Sequence, residues 1–136
     1  MCRPAICAVL LTMLVACAPS GSGTQCDPNK PKPNLQNFPL YPSAQQVTAQ
    51  DLGGGVPRKL ITYEVNDSPD NVTAFYTKVL EQGGWEKTQQ SPSSLALDYY
   101  WRNYCAYPEY WLLATIQSEN AGKSSVRLDI RTMYRE

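Results

Sequence analysis

The chain has 136 residues, with 12 basic and 12 acidic side chains and no histidine, so its formal net charge is zero at neutral pH. This balance excludes a polybasic patch, and no nucleic-acid partner is expected. Histidine is a frequent zinc ligand and the side chain that most often titrates near neutral pH. Because the chain has none, we expect neither a metal site nor a cofactor.

The N-terminal segment has the features of an export signal. Arg3 precedes an apolar run from Ala8 to Val15, which is too short to span a bilayer and predicts a secretory signal peptide. Its end, Leu14-Val15-Ala16-Cys17, resembles the bacterial lipobox. The resemblance implies cleavage before Cys17, a diacylglyceryl thioether on the Cys17 thiol, and attachment to the bacterial cell membrane or outer membrane with the domain on the extracytoplasmic side.

Composition divides the remainder into a tether and one domain. We expect residues 1–16 to be the lipoprotein signal peptide, residues 17–33 the lipidated cysteine with a flexible tether, and residues 34–136 a single domain. The tether is rich in Pro, Ser and Gly and has almost no apolar side chain to bury, so it cannot offset its ordering entropy. The membrane, through the lipid on Cys17, is therefore the first expected partner.

Two cysteines remain in the mature region, Cys26 and Cys105. An even pair in an exported chain favours a disulfide, worth about 4 to 5 kcal/mol at most for a loop of this length. In the alternative, Cys26 is free and Cys105 packs as a small apolar side chain.

A helix is the clearest local prediction. Ser68 is a good N-cap, Pro69 suits the first helical position, and Asp70 lies near the positive end of the helix dipole. Apolar side chains then recur every three or four residues until Gly83-Gly84, which predicts a helix from Pro69 to Gln82. The members of this stripe are Val72, Phe75, Tyr76, Val79 and Leu80.

Alternating segments on both sides of the helix predict strands. They are Gln45 to Gln50, Lys59 to Val65, Trp85 to Thr88, Leu95 to Arg102, Tyr110 to Gln117 and Val126 to Arg131, with a turn at Ser91 to Ser94. In the last strand Val126, Leu128 and Ile130 alternate with charged residues, as expected where one sheet face is solvated. We therefore predict an α+β fold, one amphipathic helix packed on an antiparallel sheet of about five or six strands (β-β-α-β-β-β-β).

Several short motifs in this region resemble those of small uncharacterised bacterial lipoproteins and exported domains. They are Phe38-Pro39-Leu40-Tyr41-Pro42-Ser43-Ala44, Asn66-Asp67-Ser68-Pro69, Phe75-Tyr76 and Gly83-Gly84-Trp85. The resemblance implies structural roles: turns at Pro and Gly, Phe75 and Tyr76 facing the sheet, and Trp85 closing the core. It assigns no site residues.

Aromatic side chains are unusually dense between residues 99 and 111. The cluster contains Tyr99, Tyr100, Trp101, Tyr104, Tyr107, Tyr110 and Trp111. Strand alternation places Tyr99 and Trp101 on one face and Tyr100 on the other, so the rings cannot all belong to one core. The candidate binding residues are Tyr100, Tyr104, Tyr107 and Trp111. In the alternative, the rings fill the core and cover the sheet edges.

The sequence assigns no catalytic residues. Glu64 and Asp67, with Asp98 or Glu109, could be drawn as a carboxylate pair, but such pairs can be drawn in almost any chain with twelve acids, and solvated turn and strand positions or a helix cap are the better explanation. We therefore expect a non-enzymatic binding or scaffolding module of the cell envelope. The alternatives are a glycan or peptidoglycan binder using the aromatic cluster, a protein-interaction module, and a small hydrolase.

Overall fold

The computed structural model describes residues 26–88, 96–120 and 122–134, apart from the side chains at positions 106 and 107. Cys17 and the predicted turn at Ser91 to Ser94 lie outside the described residues. The elements in chain order are β1 (Gln45–Leu52), β2 (Arg58–Val65), α1 (Pro69–Gln82), β3 (Glu86–Lys87), β4 (Ala96–Asn103), β5 (Ala106–Ser118) and β6 (Ser124–Met133).

The strands form one antiparallel sheet in the order β1-β2-β6-β5-β4-β3. The last strand of the chain, β6, lies in the middle and pairs with both β2 and β5. Ile61 of β2 is paired with Leu128 of β6, and Leu112 of β5 is paired with Ile130. These pairs place the apolar residues of neighbouring strands on one face, which we call the inner face.

The predicted α+β class is wrong, because strands dominate the fold. The one helix has 14 residues, whereas β5 and β6 alone have 13 and 10 and extend beyond their predicted ends. The extensions are paired backbone: Glu109 is opposite Met133, and Ser118 is opposite Ser124. Cross-strand hydrogen bonding continues where the apolar alternation stops, so the pattern underestimates strand length.

The helix prediction is confirmed from Pro69 to Gln82. The Ser68 side chain accepts a hydrogen bond from the Asn71 backbone N–H, which satisfies one of the unpaired donors of the first turn. Three side chains spaced four residues apart, Val72, Tyr76 and Leu80, are buried. This stripe packs over β3, β4 and β5 on the inner face.

Large side chains fill the space between the helix and the sheet. Tyr63 of β2 and Tyr76 of α1 hydrogen-bond to each other through their hydroxyl groups, and Phe38 packs edge-on against Trp85 with ring centroids 6.2 Å apart. The segment 35–44 contributes further apolar side chains to this core. No helix of the described residues is long and apolar enough to cross a membrane.

The N-terminal strap, residues 26–30, is fixed to the β4–β5 hairpin. Cys26 and Cys105 form a disulfide, with their Cα atoms 4.8 Å apart. The Asn103 side-chain amide donates to the Asp27 carbonyl at 2.7 Å, and the Lys30 ammonium donates to the Arg102 carbonyl at 2.8 Å. The covalent link and these polar contacts hold the start of the domain at the hairpin tip.

Candidate functional site

The sheet divides the aromatic cluster between its two faces. Tyr99 and Trp101 are fully buried and Tyr110 is nearly so, all on the inner face. Trp101 and Tyr110 are cross-strand partners, with ring centroids 5.8 Å apart. Tyr100 and Trp111 lie opposite each other on the outer face and are only partly buried. The cluster is therefore partly core and partly surface.

The outer face is the solvated face of the sheet. Helix α1 and the segment 35–44 both pack on the inner face. The register aligns one outer-face residue from each of four neighbouring strands, which we call the aromatic–arginine row. Its members are Tyr100, Trp111, Arg131 and Arg58.

Trp111 is held in place by two charged neighbours. Its indole N–H donates a hydrogen bond to the Asp98 carboxylate, and the guanidinium carbon of Arg131 lies 4.7 Å from its ring centroid. A cation over an indole face is worth about 0.5 to 1 kcal/mol at a partly exposed site. The ring and the guanidinium together form one surface that is both apolar and rich in hydrogen-bond donors.

Asp129 orients both arginines of the row. Its carboxylate accepts hydrogen bonds from Nε of Arg58 at 2.7 Å and from Nη2 of Arg131 at 3.1 Å. Burial acts to raise the pKa of Asp129, but the hydrogen bonds and charges of the two arginines outweigh it and lower the pKa. Asp129 is 5 % exposed, whereas the side chains of Arg58 and Arg131 are 34 % and 41 % exposed. Both guanidinium groups can thus contact a ligand while their hydrogen bonds to the buried Asp129 carboxylate fix their orientation.

Tyr100 has a similar environment at the other end of the row. The guanidinium carbon of Arg102 lies 5.0 Å from its ring centroid, and Arg102 forms an ion pair with Glu109 at 3.3 Å. Both outer-face rings of the row therefore lie next to an arginine that is paired with a carboxylate. The carboxylates of Asp98, Asp129 and Glu109 balance the three arginines, so the row and its charged neighbours are together near electrical neutrality.

A polar cleft of about 470 Å³ continues the outer face away from the row. Its lining includes Thr48, Thr62, Thr115, Gln117, Ser125 and Arg127. On β5, Thr115 lies four residues after Trp111 on the same side of the strand, about 13 Å away. Row and cleft are parts of one continuous surface.

The structure brings together only part of the predicted candidate set. Tyr100 and Trp111 are adjacent, whereas Tyr104 lies at the β4–β5 hairpin tip. The side chain of Tyr107 lies outside the described residues. Sequence reasoning missed Arg58, Asp129 and Arg131 as site residues. The charged side of the β6 alternation marked two of them, but Arg58 joins them only through the β2–β6 register.

The four carboxylates considered for catalysis do not form a pair: three of them bind different side chains, and the fourth is exposed on β2. Asp67 caps the β2–α1 connection: it accepts hydrogen bonds from the Tyr41 hydroxyl at 2.6 Å and the Asn71 amide at 2.7 Å, which lower its pKa. Asp98 binds Trp111, Glu109 pairs with Arg102, and Glu64 lies on exposed β2 surface.

Comparison with known proteins gives one family match. A family model described as START domain-like matches residues 43–96, which contain β1, β2, α1 and β3. The match covers less than half of the chain, and most of the aromatic–arginine row follows it. It indicates a ligand-binding domain and is compatible with a non-enzymatic binding module. Searches of curated proteins and of solved structures gave no significant match.

Proposed function

We propose that this chain is a non-enzymatic binding module of the bacterial cell envelope, anchored by lipid on Cys17, and that it binds glycan on the outer face of its sheet. The observation that supports a binding site on this face is the aromatic–arginine row. It combines partly exposed rings with fixed hydrogen-bonding groups on a face that neither α1 nor the segment 35–44 covers.

The anchor follows from the sequence and is supported by the disulfide. A diacylglyceryl group supplies two acyl chains, which is the number needed for long-lived membrane attachment. Disulfides persist mainly in oxidising compartments outside the cytosol. The Cys26–Cys105 bond therefore favours an exported domain.

Glycan is the ligand class that best suits the row. A sugar ring presents an apolar C–H face, which packs against Trp and Tyr rings, and hydroxyl groups around its edge. Asp98 and the guanidinium of Arg131 lie beside Trp111 and can bind such hydroxyls. The near-neutral charge of the row and its neighbours suits an uncharged or zwitterionic sugar better than a polyanion. The polar cleft extends the surface so that a chain of several sugars can lie along the sheet.

The test is binding of soluble peptidoglycan fragments to the detergent-solubilised full-length protein, followed by isothermal titration calorimetry. Trp111→Ala is expected to weaken binding at least about tenfold, since loss of roughly 1.4 kcal/mol corresponds to that factor. Tyr134→Ala is the matched control, because Tyr134 is an exposed aromatic residue outside the row.

Two results would contradict the proposal. Equal weakening by Tyr134→Ala and Trp111→Ala would show that the row has no special role. Absence of binding by the parent protein, tested across glycan fragments of different composition, would leave a protein partner as the better explanation of this surface.

A further inference from the structure

Three chain segments meet at the end of the sheet that carries the disulfide. The β1–β2 loop, the β4–β5 hairpin tip and the C-terminal end of β6 all lie there, since Leu52 is paired with Arg58, Arg58 with Arg131, and Asn103 with Ala106. We call this set, residues 52–57, 103–105 and 133–134, the tether end. The N-terminus of α1 and the β5–β6 turn lie at the opposite end.

Exposed apolar side chains concentrate at the tether end. Four large apolar residues of the described chain are exposed, and three of them lie there: Leu52 at 37 %, Val56 at 51 % and Tyr134 at 56 %. The fourth, Val47 at 45 %, lies near the start of β1, toward the opposite end of the sheet. An open cleft of about 460 Å³ lined by Leu35, Leu52 and Pro57 is also found at the β1–β2 loop. Isolated exposed apolar residues are ordinary, but their grouping at one end indicates a contact surface.

The length of chain before the disulfide determines what this end can contact. Cys26 lies nine positions after Cys17, a span of about 16 Å for a flexible coil and about 30 Å when fully extended. Strand β5 has 13 residues, so the opposite end of the sheet lies about 40 Å from the tether end, farther than the extended segment reaches. A lipid on Cys17 therefore brings the tether end, rather than the opposite end, within reach of the bilayer surface.

We propose that the tether end rests on the bilayer, with Leu52, Val56 and Tyr134 in the interfacial region. The inference depends on the lipid anchor of the proposed function. Tyr is favoured at the membrane–water boundary because its ring is apolar and its hydroxyl is polar, and Leu and Val gain from removal of apolar area from water. In this orientation the strands stand away from the membrane, and the polar cleft of the outer face points into the envelope space.

Depth-dependent fluorescence quenching tests the orientation. Lipidated full-length protein carrying Val56→Trp is reconstituted in phosphatidylcholine vesicles that contain lipid brominated near the top of its acyl chains. Val47→Trp is the matched control, since it makes the same change at a similarly exposed valine near the other end. The parent protein supplies the signal of the native tryptophans, and Tyr134→Trp is a second reporter at the tether end.

We expect Val56→Trp and Tyr134→Trp to be quenched at least about twofold more than Val47→Trp, because only the interfacial region contains bromine. Equal quenching at the three positions would overturn the orientation. Intact mass and vesicle flotation of the same samples separate the two proposals. Lipidated, floating protein with equal quenching refutes the orientation alone, whereas unlipidated protein refutes the anchor and the orientation together.

Discussion

The division of the aromatic cluster between core and surface predicts opposite behaviour for two tryptophans ten residues apart. Trp101 is fully buried, packs against Tyr110, and has an indole nitrogen without a hydrogen-bond partner in the described part of the chain. Trp101→Ala therefore removes volume without breaking an indole hydrogen bond. Its cost is the cavity and transfer terms, about 3 to 5 kcal/mol of unfolding free energy, together with the contact of the Lys30 ammonium at 5.5 Å from the ring centroid.

Trp111→Ala removes different interactions. Asp98 loses its hydrogen bond from the indole and Arg131 loses its contact with the ring. Because the position is partly exposed, water can solvate both charged side chains instead. We expect a loss of about 1 to 2 kcal/mol, from a weakened charged hydrogen bond and one cation–π contact.

The assay is urea unfolding of both variants, followed by circular dichroism under oxidising conditions. A difference of about 1 to 4 kcal/mol, with Trp101→Ala the less stable, is expected from these terms. Trp101→Phe is the internal control, because it keeps most of the volume and is expected to cost less than Trp101→Ala. Equal destabilisation by Trp111→Ala and Trp101→Ala would refute the assignment of Trp111 to a solvated face.

Three further perturbations test the packing around the site. Replacing Cys26 and Cys105 together by Ser opens a link with a sequence separation of 79 residues; urea midpoints should fall by the equivalent of about 2 to 5 kcal/mol, and an unchanged midpoint would contradict a stabilising bond. The pKa of Asp129 is lowered below its ordinary value of 3.8, so its contribution is complete above that pH and is lost as the pH falls through the folded-state pKa. Asp129→Asn should therefore lower stability at pH 7 and lose less stability than the parent between pH 7 and about pH 3, whereas parallel losses would argue against the pairing with Arg58 and Arg131. Ser68→Ala removes the N-cap hydrogen bond of 3.3 Å and should lower unfolding free energy by about 0.5 to 1 kcal/mol, with Ser43→Ala at an exposed position before β1 as a serine-to-alanine comparison.

Local features of the sequence were sufficient to predict the helix. Ser68 and Pro69 mark the start of the helix and Gly83 its end, and each lies next to the residues that it affects. The period of the apolar residues depends only on backbone geometry. Strand faces were also predictable within a strand, as the burial of Tyr99 and Trp101 shows. The length of the strands, and therefore the dominance of strand over helix, could not be predicted in this way. Glu109 and Ser118 extend β5 by pairing with β6, and the local pattern contains no information on that partner strand.

The candidate site was predictable only where neighbouring residues in sequence are neighbours in space. Tyr100 and Trp111 belong to one hairpin, so their pairing follows from the β4–β5 register. Arg58 belongs to the same row but lies on β2, next to the central strand β6. It is 73 positions before its partner Arg131 in the sequence. Its contribution depends on the order of strands in the sheet, which a single sequence without pairing information does not determine.

The most direct test of the account is the intact mass of the full-length protein extracted with detergent from bacterial membranes, beside its Cys17→Ser variant. The account predicts loss of residues 1–16 and a mass increase of at least one diacylglyceryl group, both absent from Cys17→Ser. An unmodified Cys17 in the membrane-extracted protein would contradict the anchor and leave an unlipidated domain whose binding surface has no fixed relation to the membrane.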